Sequence, residues 1–311
     1  MRASLVRKLE RQAKEFEARR AIDPYEPPLS IKQISPISYG TAGATADFYA
    51  PMSGHTGRPM MVLLHGNPFS GTTADVKPFC MEMAKRHLPV WAVGTPDFAD
   101  ATPEGSSFLT SLEQVLVFFG WLSTNASFYD AQRCPLILSG VGSGAMLATA
   151  VLQMAYNKRA AEYFCKLSPT ICSILPTLPK GFLKGFASFS GWIDAPTMLR
   201  TTHKEELLAW LGEGACRRRL VDYLSLTCAP SVDYPPILLV TSACCRLRPL
   251  ALSAAGIFAE WGIPYRVIDA PKKDVNEQDT VSGWHVHFPS WDSARIVNEQ
   301  VAAFCRALAE E

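Results

Sequence analysis

The sequence has little net charge. Its 311 residues carry 30 Lys/Arg against 29 Asp/Glu, a balance of +1 with histidines neutral. No basic or acidic excess marks a nucleic-acid partner or an anionic membrane surface. No Cys-x-x-Cys pair occurs among the nine cysteines, at 80, 134, 165, 172, 216, 228, 244, 245 and 305. An odd, scattered set argues against a disulfide framework and against a zinc site. Reduced, mostly buried thiols in an intracellular protein fit it better. The opening residues lack the apolar core of a secretory signal. There are no internal repeats and no low-complexity tract. Residues 135–156 contain no charge, yet Pro135, Gly140, Gly142 and Gly144 interrupt them. They read as a strand, a tight turn and a buried helix, not as a membrane span.

Apolar residues make up 48% of the chain, enough for a substantial core. The first twenty residues hold seven Lys/Arg and three Glu, with Leu5, Leu9, Ala13 and Phe16 near one helical face. They read as a cap helix on the domain, with a protein-partner or membrane-surface helix and a mitochondrial presequence as alternatives. Localisation is accordingly read as cytoplasmic, with mitochondrial import as the second choice. Residues 1–30 form an N-terminal helical extension and a proline-rich connector, and 31–311 form one α/β domain. Strands are expected near 34–39, 44–50, 60–64, 89–94, 135–139, 186–190, 236–241 and 265–269. Helices are expected near 73–87, 108–123, 145–157, 249–261 and 293–309. The span 167–226, irregular and then mainly helical, reads as an insertion. An antiparallel start followed by strand–helix alternation predicts a mostly parallel sheet with helices on both faces.

Several segments carry a family resemblance. Met61-Val62-Leu63-Leu64-His65-Gly66-Asn67-Pro68-Phe69 is similar to an oxyanion-hole segment usually written HGGGF. Ser139-Gly140-Val141-Gly142-Ser143-Gly144-Ala145 is similar to a nucleophile elbow, usually GDSAGG. Ser190-Gly191-Trp192-Ile193-Asp194, Pro235–Thr241 with its following helix, and Gly283-Trp284-His285-Val286 match later landmarks in order and spacing. Together they resemble the hormone-sensitive-lipase-like branch of the α/β-hydrolases, over roughly residues 35–308.

The resemblance implies a serine hydrolase fold, and its residues can be tested one at a time. The elbow needs a serine on a strained strand-to-helix turn. In the family's phase that position is Gly142, and the nucleophile is gone. A shift by one residue makes Ser143 the nucleophile, with Val141 crowding the turn. Aligning back from Gly262 puts Cys245 at the acid position, where no carboxylate exists; Asp194 is the alternative acid. His285 is the triad histidine candidate. Gly66, Asn67 and Gly144 would donate to the oxyanion, and Pro68 cannot. His285-x-His287 lacks a third metal ligand, so no metal or cofactor is expected.

Two functions compete. One is a carboxylic-ester hydrolase using Ser143, His285 and Asp194 on a small ester or acyl substrate. The other is a catalytically degraded relative serving as a binding or structural subunit. The second is the preferred expectation. No sequence feature specifies an oligomeric state.

Overall fold

The computed structural model describes residues 7, 11, 14, 18, 24–40, 44–65, 73–95, 107–132, 134–179, 181–211, 217–228, 230–274, 276 and 278–309. Its centre is an eight-stranded sheet in the order β1-β2-β4-β3-β5-β6-β7-β8. The strands are β1 (Ile31–Ser38), β2 (Thr45–Pro51), β3 (Met60–Leu64), β4 (Val90–Val93), β5 (Leu136–Val141), β6 (Leu183–Phe189), β7 (Ile237–Ser242) and β8 (Tyr265–Ala270). β1 pairs antiparallel with β2 and β2 antiparallel with β4; every later pairing is parallel.

Strands β3, β4 and β7 are buried along their whole length. That is the signature of a sheet covered on both sides, where apolar runs replace alternation. One face packs under α2 (Ser107–Asn125) and α3 (Gly144–Tyr156), with Trp91, Phe118 and Phe186 among the buried rings. The other face packs under α1 (Thr73–Lys85), where Phe79, Phe189 and Trp284 are buried. The fold class expected from the order of elements is therefore the one observed.

Between α3 and β6 run α4 (Lys158–Leu167) and α5 (Pro169–Ile174), followed by a 3-10 turn over Leu175–Thr177. The sequence reading leaves α4 unassigned and treats Leu167–Leu183 as irregular. Caps explain the difference. Asn157 accepts from the amides of Arg159 and Ala160 and restarts a helix directly after α3. Ser168 closes α4 and caps α5, with Pro169 at the first helical position. After β6 come α6 (Ala195–Met198), α7 (Lys204–Leu211) and α8 (Arg217–Tyr223). The span 167–226 is thus divided by a core strand into two helical excursions.

The C-terminal third follows the sequence closely. α9 (Arg248–Trp261) has Pro249 in its first turn and ends at Gly262, whose φ of 67° lets the Ile263 amide bond back to Phe258. α10 (Trp284–His287) is one turn, and α11 (Asp292–Ala307) closes the chain. At the other end, Arg7, Arg11, Lys14 and Ala18 are helical and exposed, and Tyr25 of the connector donates to Glu82 on α1. Among the described residues no helix is long and apolar enough to cross a membrane; the uncharged stretch is β5, a turn and α3.

Backbone packs tightly against backbone where β5 meets α3. A Cβ on Gly140 would stand 2.4 Å from the Ala145 amide nitrogen. A Cβ on Gly144 would stand 2.3 Å from the Leu64 carbonyl and 2.4 Å from that of His65. These neighbours are backbone and cannot rotate away. Gly140→Ala should therefore cost about 3 kcal/mol, at the high end for an overpacked core. A urea midpoint equal to wild type would show that the turn can open.

Candidate active site

The turn after β5 holds one left-handed residue, Gly142, with φ 51°. It is tied from three sides. Its amide donates to the Phe189 carbonyl at 3.2 Å, and its carbonyl accepts from Trp192 at 2.8 Å and Ala145 at 3.3 Å. Ser143 follows with φ −68° and ψ −25°, ordinary right-handed values, as the N-cap of α3. The Ser143 side chain makes no capping bond, and the residue is 2% exposed. The strained position of the elbow therefore carries no side chain, and the serine stands one residue beyond it.

His285 lies in the core. It is completely buried, with ring centroids 5.0 Å from Phe189, 5.2 Å from Trp284 and 5.8 Å from Phe79. Its Nδ1 is 3.0 Å from Asn298 Oδ1 on α11, while Asn298 Nδ2 donates to the His285 carbonyl. That second bond orients the amide, so Nδ1–H is the donor and Nε2 is the unprotonated nitrogen. Nε2 has no hydrogen-bond partner among the described residues. Desolvation, assisted by His287, lowers the pKa to about 4 against the opposing Asn298 bond. A general base must reach the hydroxyl it deprotonates. Here one nitrogen is occupied by Asn298 and the other is unpaired, so the structure does not bring His285 to Ser143.

Asp194 is also committed elsewhere. It is the N-cap of α6, accepting from the Thr197 amide at 3.3 Å and from Ser225 Oγ at 3.2 Å. It ties the second helical excursion together at the Asp194–Ser225 bridge. The expected constellation of Ser143, His285 and Asp194 is therefore not assembled. Two of its members have structural partners that the linear sequence does not reveal. Of the expected oxyanion donors, Gly66 and Asn67 lie outside the described residues. Gly144 opens α3, pressed against the end of β3.

Cys245 follows β7 and is 4% exposed. Its sulfur accepts a hydrogen bond from Ser282 Oγ at 3.2 Å. The residue facing the acid position is thus Ser282, three places before His285. Ser282 precedes Gly283, whose φ is 69° and whose amide donates to Ser190 Oγ at 3.0 Å. Ser190 is itself left-handed, φ 49°, at the end of β6. The sequence reading missed Ser282, Ser190 and Asn298. The glycine at 283 was the available signal, since a left-handed residue before a helix turns the chain just there.

His65 ends β3. Burial lowers its pKa to about 4, Asp75 pulling the other way, and its Nδ1 has no partner among the described residues. Its Nε2 is 3.4 Å from the Thr95 amide. Over the elbow, Trp192 packs against Trp210 at 6.1 Å and His203 at 6.0 Å, and Trp210 against Phe108 at 5.1 Å. Trp192, His203 and Trp210 come from the segment after β6, and Phe108 from α2. Among the described residues, no group of three or more His, Cys, Asp or Glu side chains is placed to hold a metal ion.

The arrangement can be compared with known proteins. No family model matches the sequence, and no curated protein does. Solved structures do match. Esterase B from Lactobacillus rhamnosis aligns over 99% of this chain and 96% of its own, with a TM-score of 0.78 and 16% identity. The hyperthermophilic esterase of Pyrobaculum calidifontis aligns over 98% and 97%, with a TM-score of 0.67 and 18% identity. A thermostable carboxylesterase cloned from a metagenomic library aligns over 99% and 98%, with a TM-score of 0.68 and 18% identity. At these identities the likeness is one of fold. The protein has the α/β-hydrolase fold that these esterases share.

The two buried histidines set a pH dependence. Each folded pKa of about 4 lies below the ordinary value near 6.5. The unfolded chain therefore binds more protons between those values, and stability rises with pH across the window. On acidification from pH 7 to 4.5, each histidine should withdraw about 3 kcal/mol at most. His285→Gln should flatten the fall in urea midpoint over that range. An unchanged slope would mean that His285 does not titrate there.

Proposed function

We propose that this chain descends from an ester hydrolase, no longer hydrolyses esters, and keeps its site to bind a small acyl or ester ligand. The observation that carries this is Gly142. The left-handed residue of the elbow is where a nucleophile would project, and it has no side chain to attack with. Cys245 and Ser282 support the same reading. They meet where an acid–histidine pair would stand, and neither is a carboxylate or an imidazole. His285 is a core residue held by Asn298.

The ligand class follows from the apolar surroundings. Trp192 and Trp210 pack 6.1 Å apart, and the Trp192 amide donates to the Gly142 carbonyl at the elbow. Esterase B, of the same fold, was crystallised with a tributyrin phosphonate inhibitor. A short-chain acyl ester held without turnover is the corresponding ligand here. The N-terminal segment, helical and exposed at Arg7, Arg11, Lys14 and Ala18, would serve a protein partner if the chain acts as a subunit.

The test is labelling with a fluorescent fluorophosphonate beside hydrolysis of p-nitrophenyl butyrate. Wild type should neither label nor turn over above buffer. The triple variant Gly142→Ser, Cys245→Asp, Ser282→His should gain labelling. The new serine costs about 1–3 kcal/mol of strain at its positive φ. Labelling of wild type that disappears in Ser143→Ala would overturn the proposal and restore Ser143 as the nucleophile. Tributyrin should quench tryptophan fluorescence in wild type, and less in Trp192→Leu.

A further inference from the structure

The cysteines are not uniformly buried. Among the described ones Cys80, Cys134, Cys245 and Cys305 are buried, Cys165 and Cys244 are half-buried, and Cys172 and Cys228 are exposed. Cys165 and Cys172 stand apart from the others, because both line one cavity from adjoining helices. Cys165 lies in the last turns of α4 and Cys172 in α5. Ser168 serves as the cap of both helices, so they form a tight helical corner. The Cys172 amide donates to the Ser168 carbonyl at 3.1 Å, and the Ile171 amide to Ser168 Oγ at 3.2 Å, which fixes that corner. Cys172 is close enough to be among the groups that perturb the Cys165 thiol. The cavity that both line has a volume of about 720 Å³, with Met154, Lys158, Leu175 and Phe182 also in its wall. This cavity lies away from the elbow, beyond the far end of α3.

We infer that Cys165 and Cys172 form a reversible disulfide, a modification site in which a peroxide oxidises the exposed thiol and the half-buried one resolves it. Cys172 is open to solvent and reacts first. Its thiolate attacks one peroxide oxygen; the O–O bond breaks, Cys172 becomes a sulfenic acid and the leaving oxygen departs as water. The Cys165 sulfur then attacks the sulfenic sulfur, forming the S–S bond and releasing a second water. Two thiols lose two electrons and two protons, and one peroxide becomes two waters. Burial, followed by the neighbouring Cys172, raises the Cys165 thiol pKa. This fits the order of events, with Cys165 as the resolving partner. The bond would fix the α4–α5 corner and one wall of the cavity.

Cys228 is an internal control, being exposed without a cysteine among the groups that perturb it. The reduced protein is treated with hydrogen peroxide, its remaining thiols are blocked with N-ethylmaleimide, and tryptic peptides are mapped without reduction. Cleavage after Lys166 separates the two cysteines, so a disulfide shows as a linked pair of peptides. The expected result is a Cys165–Cys172 pair that dithiothreitol dissolves, with Cys228 unpaired. Cys172→Ser should lose the pair and leave Cys165 open to alkylation, with an unchanged urea midpoint in reductant. A second measurement needs no oxidation. Phenylarsine oxide, which bridges two close thiols, should add once to reduced wild type at this corner and not to Cys172→Ser. Over-oxidation of Cys172 with Cys165 still alkylatable, pairing of Cys165 with another cysteine, or no arsenical adduct at the corner would each overturn the inference.

Discussion

The first turn of α3 must press onto the ends of β3 and β5, and most of the molecule follows from that contact. At Gly140 and Gly144 a single carbon atom would overlap backbone at 2.3–2.5 Å. Gly191 is crowded from the other side, where a Cβ would meet the Ala145 side chain at 2.3 Å. Close-packed backbone of this kind is rigid and not continuously deformable. It forces the intervening residue into a left-handed turn, ties that turn to β6 through Phe189 and Trp192, and aims it at the strand ends. In a hydrolase this is the geometry that activates a serine. Here the contact is kept and the residue at its apex is glycine.

That separation of architecture from chemistry recurs around the site. The interaction at the acid position persists as a bond from Ser282 to the Cys245 sulfur. A thiol and a hydroxyl thus stand where a carboxylate and an imidazole would be expected. The histidine nearest in sequence has turned inward. Its burial among Phe79, Phe189 and Trp284 is compensated by two hydrogen bonds with Asn298. Such a neutral, fully packed imidazole contributes stability and pH sensitivity. Trp192, Trp210 and Phe108 pack edge to face beside the turn and bury that side of it in the core. The thiol pair on α4 and α5 is independent of it and rests on a different constraint, the cap shared at Ser168.

Much of the fold is legible in the chain. Periodicity, glycine and proline punctuation and the antiparallel opening place all eight strands within a few residues. They do so because a strand buried on both faces must be an unbroken apolar run, and Met60–Leu64 or Ile237–Ser242 can be little else. The stop at Gly262 is equally local, since few residues other than glycine tolerate its φ. The helix at 158–167 was not legible. Its polar surface hides a narrow apolar stripe, and the cap at Asn157 joins it to the helix before. The candidate site was legible in half. The glycine triplet at 140, 142 and 144 carries its steric reason in the sequence, and the resemblance to the hydrolase elbow put Gly142 at the apex, with Ser143 as the alternative.

What the sequence by itself determined, then, is the order of elements, the two-sided core and the glycines of the elbow. Each depends on interactions within a few residues or on which atoms a side chain lacks. Which histidine faces which partner was decided only by tertiary structure. His285 and Ser282 are three residues apart, on opposite sides of a left-handed glycine. The rotation there sends one toward Asn298 and the other toward Cys245. Asn298 lies on the last helix and Cys245 after the seventh strand. Their positions relative to residues 282–285 exist only once the parallel sheet has brought distant segments together.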